Sequence, residues 1–262
     1  MEQNPALTLQ QLQAEKTERI VGVIIRIGVI FLEAGAEVYR VEETMNRLGM
    51  AIDGVEDCVC YVTVTGITCS VVMNHATVTR VSRVSGGTRN LAVINAINQL
   101  SRLSEKNHYS VDQLEVAINR IEQLPVYSNS FKMLFGAIGA AGFALFFKGT
   151  MIDIVSSFFI GLLVRLMTTR LDKTTMNTFF VNALASFLVA WIAETIHSMI
   201  PAANVDTIII SSIMLLVPGL TLTNSLRDVV MGEYLSGVAR LTEAMVVATA
   251  IALGVGIGLY LY

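Results

Sequence analysis

Charge is what this sequence has least of: Asp, Glu, Lys and Arg make up 15% of its 262 residues, while 53% are hydrophobic. An ordinary soluble domain carries about 25% charged residues. With a mean hydropathy of +0.62, the shortage excludes a purely aqueous environment and makes a bilayer part of the chain's surroundings. Basic residues are not in excess either. A net charge of -3 and an isoelectric point near 5.7 give no general electrostatic pull toward phosphate backbones, so no nucleic-acid partner is expected. Cysteine is confined to Cys58, Cys60 and Cys69, an odd count that argues against a closed disulfide framework and suits a reducing cytosol. Residues 1–18 are polar and lack the apolar stretch of a secretory signal, so nothing suggests export of the first half.

Recognisable chemical motifs are also missing. The histidines His75, His108 and His197 stand in no HExxH or similar ligand spacing, and no GxSxG elbow or Walker loop occurs. No catalytic residue, metal site or cofactor is therefore assigned. Cys58 and Cys60 fall on one side of a predicted strand, where a metal or redox pair is conceivable, but no second ligand pair is nearby. They read as small buried hydrophobes.

What is present falls into two halves. Most charges lie in residues 1–128, which are expected to form a small cytosolic α/β domain, and long uncharged runs fill residues 129–262, expected to form a five-helix transmembrane domain. From Glu15 onward Ile20, Ile24, Ile27, Phe31, Ala34, Val38, Val41, Met45 and Leu48 repeat at helical spacing, with Gly35 dividing the stripe into two helices. Three Val-, Thr- and Cys-rich runs, 58–64, 67–73 and 77–84, read as an antiparallel meander. Ser85-Gly86-Gly87-Thr88 leads into a helix over 89–103; its glycines could form an anion-binding nest, though a plain loop is the favoured reading. Ser110 and Gln113 form a capping-box pair that opens a further helix, ended at Pro125.

The expected spans are 131–147, 151–169, 175–200, 205–222 and 244–262. Gly136, Gly139, Ala140 and Gly142 give the first a small-residue face, and Gly254 and Gly258 form a GxxxG pair in the last, with its packing partner open. Arg165, Arg170 and Lys173 fall between the second and third spans, and Arg227 and Arg240 between the fourth and fifth. The positive-inside rule then puts the N-terminus in the cytoplasm and the C-terminus outside.

Backbone breaks and ionisable groups near membrane segments mark routes and sites. Here they gather in one stretch. Pro218-Gly219 breaks a helix, and a helix N-terminus together with Arg227 could hold a carboxylate; a kink with a cytoplasmic loop explains the same residues. Asp228 and Glu243 could exchange protons with a pathway, or simply pair with Arg227 and Arg240. The candidate transport-path residues are thus Pro218, Gly219, Asn224, Arg227, Asp228, Arg240 and Glu243.

These residues, with Gly35-Ala36-Glu37-Val38-Tyr39-Arg40-Val41-Glu42, Val217-Pro218-Gly219, Asn224-Ser225-Leu226-Arg227-Asp228, Gly232, Gly237 and Arg240, make nearly the whole chain resemble the larger, N-terminal component of the threonine/serine exporter family. Ser225 departs mildly from the alanine common there. Some members of that family resemble a fusion of this unit with a second helical unit, and others are split into two polypeptides; this chain matches the first unit. The resemblance implies an exporter of small polar metabolites, threonine and serine or a dicarboxylate such as succinate. It also implies a proton-gradient drive and a second small helical membrane subunit as partner. Two rivals stand beside it. One is a membrane-tethered hydrolase sited in residues 15–124, which lacks a nucleophile motif; the other is a regulatory or scaffold subunit, which the small-residue faces would equally serve.

Overall fold

The computed structural model describes residues 5–87, 89–125, 127–171 and 176–262, so Thr88, Lys173 and the expected start of the third span at Thr175 lie outside the described residues. The chain divides into two compact units, residues 1–125 with 223–240 and residues 126–222 with 241–262.

The first unit is built on α1 (Pro5–Glu33) and α2 (Val38–Met50). The apolar stripe read from the sequence is the face they bury, with Ile20, Ile24, Ile27, Phe31, Met45 and Leu48 fully enclosed. Gly35 ends the first helix by taking φ +91°, a conformation that strains any residue with a Cβ. β1 (Val55–Thr63), β2 (Gly66–Met73) and β3 (Ala76–Arg83) form the expected antiparallel meander, in the order β1-β2-β3. Asn74 and His75, with φ of 51° and 59°, join β2 to β3 with the twist that suits a two-residue hairpin. One sheet face, carrying Cys58, Cys60, Val62, Ile67, Cys69 and Val71, is buried, whereas Val59, Tyr61 and Val81 are exposed. The outer edge of β1 is covered by α2: Cys60 N donates to Asn46 Oδ1 at 2.8 Å and Val62 N to Glu42 Oε2 at 3.1 Å.

α3 (Leu91–Asn107) begins at Asn90, whose side chain accepts from the Ala92 and Val93 amides, and ends at His108 in the left-handed region. The loop before it is pressed onto the end of α1. Asn90 N donates to Ala34 O at 3.0 Å, and a Cβ on Gly87 would sit 2.0 Å from Glu33 O. Gly87 thus serves the close approach of this loop to the end of α1. α4 (Val111–Glu122) opens with the capping box read from Ser110 and Gln113.

The second unit contains α5 (Asn129–Phe146), α6 (Met151–Leu171), α7 (Thr178–Met199) and α8 (Val205–Ile213), while α9 (Gly219–Val230) and α10 (Tyr234–Tyr260) each contribute to both units. Among the described residues four helices are long and apolar enough to cross a membrane: α5, α6, α7 and α10. That differs from the five spans expected. The stretch 205–222 is not one helix: α8 stops at Ile213, a turn follows, and α9 starts only after Pro218, which has no amide to continue the ladder. The last helix also begins well before residue 244 and takes in Arg240 and Glu243. Between 22% and 39% of the four apolar windows is buried, so most of their surface faces outward, as lipid-facing helices require.

Small residues bring these helices together. A Cβ on Gly161 of α6 would lie 2.7 Å from the Ala140 Cβ of α5. The GxxxG pair of α10 has its partner within this chain: a Cβ on Gly254 would lie 2.2 Å from Ala183 O, and one on Gly258 2.8 Å from Phe187 O, both in α7. At the other end of the α6 sequence Asp153, buried and fully bonded, accepts from Thr150 N at 2.7 Å and from Asn204 N at 2.7 Å. One carboxylate thus pins the α5–α6 and α7–α8 turns to each other.

Candidate functional site

The first unit brings two distant stretches of sequence into contact, the break between α1 and α2 and the corner formed by α9 and α10. The break is needed first: with Gly35 turned out of the helix, the carbonyls of Gly35 and Ala36 and the amide of Val38 are left without helical partners. Side chains from the corner supply them. Asn224 Nδ2 donates to Gly35 O at 3.0 Å, Arg240 Nη2 donates to Ala36 O at 2.8 Å, and Val38 N donates to Asp228 Oδ1 at 3.1 Å. The corner is itself tight. Gly232 turns the chain at φ +95°, and a Cβ on Gly237 would meet Val229 Cγ2 at 2.4 Å and Ser225 O at 2.9 Å.

Charges are stacked on this frame. Glu37, almost wholly buried, is paired with Arg227 and with Arg40, whose Nη1 lies 3.2 Å from Glu37 Oε2. Burial alone would push the Glu37 carboxyl up, but a bond from its own backbone amide, the Arg227 hydrogen bond and the two guanidinium charges together hold it below the usual glutamate range. Asp228 goes the other way. Its carboxyl is fully enclosed, and burial pushes its pKa up against the opposing pull of Arg240 and the Val38 amide, with Glu37 and Glu233 adding repulsion. Its Oδ2 accepts no hydrogen bond among the described residues and faces Arg240 Nη1 at 3.4 Å.

Four of the residues singled out from the sequence, Asn224, Arg227, Asp228 and Arg240, therefore meet in one cluster. Pro218, Gly219 and Glu243 belong to the second unit, where Pro218 O accepts from Leu222 N in the first turn of α9 and Glu243 is exposed. Gly219 opens α9 and Arg227 stands in its last turn, so the helix N-terminus and the guanidinium lie at opposite ends of one helix. Sequence reasoning did not name Glu37 or Arg40 as site residues. The signal was present in the Gly35–Glu42 motif, but nothing in that stretch says which cation, far along the chain, its acid meets.

The described residues are those of a membrane protein, with four helices of membrane-crossing length and apolarity, and with a cluster of carboxylates and arginines built at a helix break. Residues 22–262 match the family model described as "Putative threonine/serine exporter", and the chain belongs to that family. It is 24% identical over 90% of its length to a probable threonine/serine exporter of Mycobacterium tuberculosis, and covers 45% of that protein. It thus spans about half the length of that relative. A probable succinate transporter subunit, YjjP, of Escherichia coli is 23% identical over 87% of this chain and 89% of its own length, and the protein of the same description from Klebsiella aerogenes matches equally. No solved structure matches the chain. The names of these relatives are those of transporters, and none is named as an enzyme, which fits a non-enzyme exporter better than the hydrolase reading.

Proposed function

We propose that this chain is one subunit of a secondary exporter for small polar, carboxylate-bearing metabolites, either threonine and serine or a dicarboxylate such as succinate. It works with a second small helical membrane subunit and is driven by the proton gradient. The names of the relatives support the substrate class, and the word subunit in two of them supports the partner. The observation that carries the reading is at Glu37, where two guanidiniums share one buried carboxylate and Arg227 remains half exposed. A substrate carboxylate can take the open side of Arg227, or displace Glu37 from it, at modest desolvation cost. Asp228 supplies the proton side: its buried carboxyl holds the Val38 amide and faces Arg240, so a change in its protonation shifts how firmly the α1–α2 break is held to the α9–α10 corner.

In this reading residues 1–128 lie in the cytoplasm and residues 129–262 form the domain in the cell's inner or plasma membrane. The interrupted stretch 205–222 acts as a fifth, broken crossing, with Pro218 and Gly219 at its break and Glu243 further along the route. Tyr260 and Tyr262 then anchor the outer interface.

The test is export by cells that express each variant with its partner, normalised to inserted protein. Arg227→Ala is expected to lower apparent affinity ten- to a hundredfold, the equivalent of about 1.5–3 kcal/mol for a charge-assisted contact. Arg227→Lys should restore part of it, keeping the charge without the planar fork. Normal export by Arg227→Ala at normal abundance would remove the substrate role and favour a scaffold subunit.

A further inference from the structure

The sheet of the first unit holds a feature the transport reading does not use. Cys58 and Cys60 point from β1 to the buried face, and β2 places Cys69 directly opposite Cys60. The Cys60 amide points away from β2, toward Asn46, which makes Cys60 and Cys69 a non-hydrogen-bonded cross-strand pair, the kind whose side chains approach most closely. All three thiols are free and buried, and their sulfurs lie within 4.8 Å of one another. α2 runs over them at a glycine: a Cβ on Gly49 would sit 2.3 Å from Cys58 Sγ, so only hydrogen at this position leaves the sulfur its space.

We propose that Cys58, Cys60 and Cys69 form a three-coordinate thiolate site for a soft d10 cation of the Cu(I) class. Metal–sulfur bonds of about 2.3 Å to three ligands in a plane require sulfur separations of about 4 Å, a spacing the cluster reaches without rearranging its strands. No fourth His, Cys, Asp or Glu atom joins the group among the described residues, which disfavours tetrahedral Zn(II) and leaves the geometry that thiolates give Cu(I). Each thiol that coordinates releases its proton to solvent. Asn46 fixes the backbone of Cys60, and the rigid meander fixes the rest. The odd cysteine count that argued against disulfides is the count such a site needs.

The experiment uses the full chain, purified in detergent under anaerobic reducing conditions and titrated with Cu(I) against a competing chelator of known affinity. The expected result is uptake of one Cu(I) per chain, with a near-ultraviolet sulfur-to-copper absorption band, a raised thermal midpoint and tighter binding at higher pH. A variant combining Cys58→Ala, Cys60→Ala and Cys69→Ala should lose the band, the uptake and the copper-dependent stabilisation. Cys58→Ser alone, which preserves volume better, should lose the three-sulfur band even if the fold is retained. No uptake by the native chain, unchanged uptake by the triple variant, or preference for Zn(II) over Cu(I) would overturn the assignment and leave the thiols as core packing.

Discussion

Glu37 and Arg227, 190 residues apart in sequence, form an ion pair in which the carboxylate is buried and the guanidinium is half exposed. The asymmetry matters. Removing the arginine leaves a buried carboxylate with Arg40 as its remaining ion-pair partner among the described residues, whereas removing the acid frees a cation that water can reach.

The first prediction follows from that pair. In a double-mutant cycle of Glu37→Gln and Arg227→Gln, folded stability in detergent should show a coupling of about 0.5–3 kcal/mol, with Glu37→Gln the milder single change. Additive effects would mean that the pair contributes nothing of its own to the α1–α2 break.

Asp228 makes stability depend on pH in a definite direction. Its folded pKa is raised by burial, so the folded state keeps its proton longer than the unfolded chain does. Stability must fall as pH rises from the ordinary aspartate range through the raised value. Glu37 has the opposite sign: its lowered pKa gives stability that is present above the ordinary glutamate range and lost as pH falls through the lowered value. Asp228→Asn should therefore flatten the alkaline-going loss and leave the acid-side loss in place. Thermal midpoints of both proteins across the acid range check this, and identical profiles would contradict it.

The α7–α10 contact depends on two missing side chains. Gly254→Leu should destabilise by about 1–3 kcal/mol or more, because the backbone carbonyl of Ala183 cannot yield as a side chain could. Gly142→Ala, where a Cβ meets nothing within 4 Å, is the matched control and should be close to neutral. The amount of inserted protein and its thermal midpoint are the readouts.

Asp153 is predicted to be structural. Asp153→Ala leaves the Asn204 and Thr150 amides without their acceptor and should cost about 1–3 kcal/mol, while Asp153→Asn, which retains one acceptor oxygen, should cost less. Export per inserted molecule should stay unchanged in both, since both oxygens of Asp153 already accept backbone amides of the two turns. A loss of specific export by Asp153→Asn would place this acid on the route instead.

The elements were legible in the sequence wherever one short-range rule was enough. The stripe from Ile20 to Leu48, the Gly35 break, the meander and the Ser110 capping box each depend on neighbours within a few turns, and each formed where its pattern stood. Span counting was less secure. Hydropathy sums composition along a window, so 205–222 counted as a span even with a helix break read at Pro218-Gly219; the break is there, but α8 has already ended at Ile213 and α9 begins at Gly219.

By itself the sequence determined that the chain has an apolar helical half, a charged half containing a meander, and a charge-rich stretch after Pro218, because these follow from composition and period. Tertiary structure alone decided who meets whom. It set Glu37 against Arg227, filled the open carbonyls of Gly35 and Ala36 from Asn224 and Arg240, seated Gly254 and Gly258 on α7, and gathered Cys69 beside Cys58 and Cys60. The physical reason is common to all of them. A buried charge, an unbonded carbonyl or a glycine face states only that a partner is required, and the partner is chosen by packing across a separation in sequence that no local pattern encodes.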